Sequence, residues 1–317
     1  MSDDIDPQRL EELQSKIQTV RKAVHERIVG QDRVLEQLLA CMLADGNALL
    51  EGTPGLGKTM LVRTIADVTD LEFSRIQNTP DLMPSDVTGT EIVRGSGEDR
   101  EFVFEPGPLF ANVVLADEIN RATPKTQAAL LEAMQERQVT VGDETYELPE
   151  PFFLLATQNP IEQSGTYELP EAQSDRFLMK IAVQFPDRDA EREIVDRYTG
   201  RLEQEIPVTQ VLSGAELRQV QQLVRQVPIA EDLRDRAIDL VRATREDDRL
   251  DVGASPRASM ALVVTSKARA FMGGRTHVEP EDIERMAPAV LRHRVLVDFR
   301  AEREGTTPDD VIADLLS

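Results

Sequence analysis

The octapeptide Gly52-Thr53-Pro54-Gly55-Leu56-Gly57-Lys58-Thr59 restricts the fold of this chain more than any other stretch. It runs glycine, four residues, glycine, lysine, threonine. It lies between a short apolar run at 47–51, read as a buried strand, and a helical start at 60–68. A strand feeding a glycine-rich turn into a helix aims backbone N–H groups and the positive end of the helix dipole at one spot. Glycine lets that turn curl around phosphates without a Cβ in the way. Lys58 then reaches the β- and γ-phosphates of a nucleoside triphosphate, and the Thr59 hydroxyl serves Mg2+. Residues 52–59, with Met60 at the helix start, form the candidate cradle for the nucleotide.

The remaining composition bounds the setting. At 317 residues the chain fits two domains. Only 4% of it is aromatic and none is Trp, so the core must be aliphatic. No apolar run approaches the ~20 residues that span a bilayer. The first six residues, Met-Ser-Asp-Asp-Ile-Asp, lack the basic and apolar regions of a signal peptide, and the expected location is the cytoplasm. Cys41 falls in an apolar helical pattern and reads as a small buried hydrophobe. His25, His277 and His293 are scattered, without metal-ligand spacing.

Net charge is −22, and only Lys16, Lys22, Lys58, Lys125, Lys180 and Lys267 accompany the arginines. So acidic and Lys-poor a surface suits molar salt, where the Debye length falls to about 3 Å and self-repulsion is screened. A halophilic origin is the expectation. The same charge argues against non-specific binding of nucleic acid.

Short apolar runs at 72–77, 112–116, 152–157 and 177–184 join 47–51 as strand candidates, mostly separated by helical stretches. That alternation predicts a parallel α/β sheet. Helical periodicity also covers 8–26 and the stretch ending near 43. From 188 onward only helices are predicted: 189–198, 213–224, 229–245, 255–271 and 279–291. The expected division is a core at 1–190 and a helical domain at 191–317.

The run Asn112-Val113-Val114-Leu115-Ala116 ends in Asp117-Glu118. Opposite a phosphate loop, Asp117 would hold the Mg2+ shell and Glu118 would polarise the attacking water. The next buried strand delivers Asn159, placed to orient that water or touch the γ-phosphate. An asparagine before Pro160 is also a turn former, so the residues alone leave both readings open.

Taken in order, these motifs resemble the AAA+ ATPases, and within them the MoxR subfamily. The resemblance is carried by Gly107-Pro108-Leu109-Phe110, Asp117-Glu118-Ile119-Asn120-Arg121-Ala122-Thr123-Pro124-Lys125-Thr126-Gln127, Gln158-Asn159-Pro160-Ile161-Glu162-Gln163 and Leu169-Pro170-Glu171-Ala172-Gln173-Ser174-Asp175-Arg176-Phe177. It runs from about Ile28 to Arg294. It implies an α/β P-loop NTPase core with a five-stranded parallel sheet, followed by an all-helical lid domain, binding ATP with Mg2+.

By the same resemblance Arg176 is the arginine finger for a neighbour's ATP, although a surface pair with Asp175 or Glu171 would use the same residue. A finger acting between subunits implies a ring, most simply a hexamer. Arg257 follows Ser255, suited to an N-cap, and Pro256, suited to the first helical position. A cation in the first turn is unfavourable to its helix, and Arg257 resembles the family's sensor-2 arginine. An exposed arginine is the plain alternative. Val29 and Gly30 resemble the segment packed on adenine, or serve as a turn between helices. Residues 78–94 resemble the helix-2 insert, and 139–148 alternates around Gly142-Asp143 as a hairpin does. Both inserts face a pore or partner in such proteins, or are surface ornaments.

The function implied is ATP-driven remodelling or maturation of partner proteins, often with von Willebrand factor A domains and for metal insertion. A nucleotide-dependent assembly switch with little turnover is the alternative. A nucleic-acid motor or chelatase-type subunit ranks behind both.

Overall fold

The computed structural model describes residues 7–95, 100–160, 167–200 and 206–317. Ile161, Glu162 and Gln163 of the third motif, and the acidic first six residues, lie outside them. Eleven strands occur in the described residues: β1 (Ala48–Glu51), β2 (Phe73–Gln77), β3 (Gly89–Arg94), β4 (Glu101–Pro106), β5 (Val113–Asp117), β6 (Gln138–Val141), β7 (Glu144–Glu147), β8 (Phe153–Gln158), β9 (Met179–Ala182), β10 (Leu250–Val252) and β11 (Leu296–Val297).

Five of these form the central sheet in the order β2-β5-β8-β1-β9. Every pairing in it is parallel. The predicted five-stranded parallel sheet is therefore present, with boundaries within two residues of those expected. Its inner strands read as unbroken apolar runs because both faces are covered. Val113, Leu115, Leu155 and Ile181 enter one aliphatic cluster, and Val114, Ala116, Leu154 and Ala156 enter another. The first cluster is filled by helices Pro7–Arg27, Asp32–Leu43 and Lys58–Val68 and by lid helices; the second is closed by Pro124–Glu136. Cys41 is fully buried in the first, and burial pushes its thiol pKa up.

From Arg188 the described residues are mainly helical, in segments Arg188–Thr199, Gly214–Gln226, Glu231–Ala243, Pro256–Met272, Pro280–Leu291, Phe299–Arg303 and Pro308–Leu316. The sequence placed no strand here. The structure adds the antiparallel pair β10–β11, whose two or three residues are too short to show a period. Ser255 is the N-cap residue of Pro256–Met272, but its hydroxyl makes no cap bond. It reaches Asp175 in the core instead, at 3.3 Å.

The region read as a turn-rich insert is largely a hairpin: Pro84–Thr88 is helical, and β3 pairs antiparallel with β4. Val93 lies opposite Phe102, and both are exposed, while Phe104 stacks on Tyr146 of the second hairpin. That second hairpin, β6–β7, turns at Gly142 (φ 62°) as predicted.

Candidate nucleotide site

In an open parallel sheet the ligand crevice lies beyond the carboxyl ends of the strands. Here β2, β5 and β8 deliver their last residues, and β1 the loop that follows it, to one cleft of about 440 Å3. Its walls are Pro54–Met60, Asp117 with Glu118, and Thr157 to Asn159, with Arg75 and Gln77 from β2. The structure thus brings the predicted cradle, both acids and Asn159 together. Gly55 (φ 87°) and Gly57 (φ 74°) hold left-handed turns with open space where a Cβ would stand, which is the cradle a phosphate needs.

Lys58 folds its ammonium back on the Gly52 and Thr53 carbonyls. Burial lowers its pKa, and Asp117 and Glu118 oppose that shift. Two cations therefore stand where an anion and a metal would be served. The second is Arg75, whose guanidinium donates to Asp117 Oδ2 at 2.6 and 3.1 Å. The donor set of Thr59 hydroxyl and Asp117 carboxylate, with oxygen ligands only, fits Mg2+.

Glu118 sits at φ 55° and ψ 54°, a left-handed state costing a non-glycine residue roughly 1–2 kcal/mol. Thr157 fixes it there. The Thr157 hydroxyl donates to Asp117 Oδ1 at 2.6 Å and accepts the Glu118 N–H at 2.8 Å. The Glu118 carboxylate accepts from Gln77 at 3.1 Å and Arg121 at 2.9 Å. Arg75, Gln77 and Thr157 were not singled out in the sequence. The available signal was polar residues at alternate positions of β2, whose register sets Gln77 beside Asp117.

The segment ahead of helix Asp32–Leu43 also reaches this region. Val29 is buried, and Gly30 (φ 64°) and Gln31 (φ 56°) turn left-handed. Gln31 Nε2 donates to the Leu56 carbonyl at 2.8 Å, tying the proposed adenine segment to the phosphate loop.

Arg176 and Arg257 are placed elsewhere. They line a cleft of about 380 Å3 with Asp45, Asn47, Arg137 and Asp175. Leu178, just ahead of β9, donates its N–H to Asn47, just ahead of β1, so this cleft lies at the amino ends of the strands. The run from Asn47 to Gly52 along β1 is ~16 Å of extended chain. Asp175 does not pair with Arg176. It pairs with the buried Arg294 at 2.8 Å and, more distantly, with Arg257 at 3.8 Å. Arg176 donates to Gln135 and has no carboxylate partner among the described residues. Arg257 is therefore not set against its own chain's phosphate loop, and the cap residue of its helix contacts Asp175.

One prediction arises here. Arg75→Gln is expected to lower the Mg2+ needed for half-maximal binding of a fluorescent ATP analogue by about two- to five-fold, the worth of an exposed ion pair. An unchanged or higher requirement would assign the guanidinium to the phosphates instead.

Comparison with known proteins agrees with this geometry. Residues 47–179 match the model of the ATPase family associated with various cellular activities (AAA), and 242–315 match the AAA lid domain. Chaperone MoxR1 of Mycobacterium tuberculosis is 43% identical, over 98% of this chain and 84% of its own length. Protein MoxR of Methylorubrum extorquens is 33% identical, over 91% and 90%. A solved structure from Cytophaga hutchinsonii superposes with a TM-score of 0.89 at 41% identity, covering 98% of this chain and 96% of that one. With the phosphate loop, the acid pair and the helical lid in place, the chain belongs to the MoxR branch of the AAA+ ATPases.

Proposed function

We propose that this chain hydrolyses ATP at sites shared between adjacent copies of itself, and that the cycle remodels partner proteins. The separation of the arginine cleft from the phosphate cleft carries this reading. Arg176 cannot complete the site of its own chain, and a head-to-tail neighbour would supply it. In the shared site Lys58 and the loop N–H groups hold the phosphates, and Glu118 takes the proton of the attacking water while Asn159 orients it. Arg176 and Arg257 enter from the neighbour. Mg2+ held by Thr59 and Asp117 would supply charge neutralisation on the β- and γ-phosphates. Val29 and Gly30 would pack on adenine.

The division near residue 190, the hexameric ring and a cytoplasmic location belong to the same reading. Among the described residues no helix is long and apolar enough to cross a membrane. The client class implied by the resemblance is a protein with a von Willebrand factor A domain, with metal insertion as the purpose. Binding to such domains only in the ATP state would support it, and equal binding in every nucleotide state would remove it.

A second reading has one observation in its favour. Gln77 and Arg121 both hold Oε2 of Glu118, so in this arrangement that oxygen is engaged rather than free to polarise water. A nucleotide-dependent assembly switch would leave it so.

The test is ATPase rate per subunit against protein concentration, in multi-molar KCl with Mg2+. A specific rate climbing with concentration supports the shared site; a flat, near-zero rate with intact ATP binding favours the switch. Dialysis below ~0.1 M salt lengthens the Debye length beyond about 10 Å. Self-repulsion of the −22 charge is then expected to unfold or dissociate the chain, read by circular dichroism. Full stability there would overturn the halophilic expectation.

A further inference from the structure

In a chain of net charge −22, five arginines line one cleft: Arg137, Arg176, Arg225, Arg257 and Arg294. Arg294 is buried and clamps Asp175 and backbone carbonyls of the loop that carries Arg176. Arg225 donates to the Ala44 carbonyl. Arg137 stands apart. It ends helix Pro124–Glu136 in the left-handed state, φ 54°, where glycine would sit without strain. Its guanidinium donates to Asp45 Oδ1 at 2.7 Å, and Asp45 is itself left-handed at φ 59°. Two non-glycine residues, each in a disfavoured backbone state, thus pair on the wall of the cleft that holds Arg176. A helix end alone asks only for glycine there, and such strain persists where a side chain is needed. Gln135, two residues upstream, holds the Arg176 guanidinium, so one helix end positions both cations.

We propose that Arg137 is a further trans-acting arginine: it meets the phosphates of the nucleotide bound by the neighbouring copy, beside Arg176, with Asp45 as its positioning residue. This rests on the shared-site reading above. Arg137 forms no bond to the transferred group; it contributes fixed positive charge as negative charge spreads over the phosphoryl oxygens.

The Arg137→Gly variant tests this without threatening the fold, since glycine suits φ 54°. Its melting temperature is expected to equal or exceed that of the unaltered chain. Its kcat should fall about 10²-fold, the effect of removing one preorganised donor. Binding of a fluorescent ATP analogue to dilute subunits should stay unchanged. Arg137→Lys should recover part of kcat, and Asp45→Asn should lose part of it with little change in KM. Mixing then separates cis from trans. Glu118→Gln subunits lack turnover but present Arg137 to a neighbour. Mixed with Arg137→Gly subunits, they should give a rate above either alone. An Arg137→Gly variant with full activity, or a loss that mixing does not restore, overturns the proposal. If the unaltered chain shows a concentration-independent rate insensitive to Arg176→Ala, the shared-site reading falls and this inference falls with it. That outcome is visible without any Arg137 variant.

Discussion

Replacing Glu118 by Gln is expected to lower ATP turnover by about 10²–10⁴-fold, the usual worth of a positioned general base, while ATP binding persists. That loss corresponds to roughly 2.7–5.5 kcal/mol of barrier. The substitution keeps the volume of the side chain and an oxygen for Gln77 and Arg121, so the left-handed turn at φ 55° stays satisfied by the Thr157 hydroxyl. What is removed is the capacity to accept a proton. Phosphate release should vanish, and binding of a fluorescent ATP analogue should match the unaltered chain or tighten. Residual turnover within ten-fold of the original would move the base elsewhere. Asp117 would be a poor substitute, since both its carboxylate oxygens are already engaged by Thr157 and Arg75.

Arg176→Ala is expected to cost about 10³–10⁵ in kcat, the range for an arginine supplied to a transferring phosphoryl group. The side chain is exposed and its polar partner is Gln135, so thermal stability should barely change. Nucleotide affinity of dilute subunits should not change either, because the residue is absent from their own cleft. Subunits of Arg176→Ala mixed with Glu118→Gln should recover turnover, each supplying what the other lacks. Loss of ATP affinity in the dilute variant would instead place Arg176 in its own chain's site.

The phosphate loop and the acid pair were legible because each is contiguous in sequence, and its residues do their work within a few positions of one another. Asn159 was legible because a buried strand must end somewhere, and the ends of parallel strands converge. Arg75, Gln77 and Thr157 were not, since their importance depends on the register of β2 and β8 against β5. No local pattern encodes which strand lies beside which. The β3–β4 hairpin escaped because Pro80, Pro84, Gly89 and Gly95 dominate its neighbourhood and read as turns. The placement of Arg257 was hidden for a further reason. The sequence shows a helix start with Ser255 as cap, but only the fold shows that Asp175 draws the cap hydroxyl away.

The phosphate cleft and the arginine cleft open at opposite ends of the same short strands, so under the proposed shared site every copy is donor at one end and acceptor at the other. An open row of n copies then holds n minus one completed sites, with one vacant cradle and one idle set of arginines at its ends. Adding copies to the row never repairs that deficit. Only a rotation that divides the full circle does, and the angle is built into how the two mouths are inclined across a rigid sheet. A small change in that inclination would turn a closed assembly into a helical one without altering any residue that touches the nucleotide.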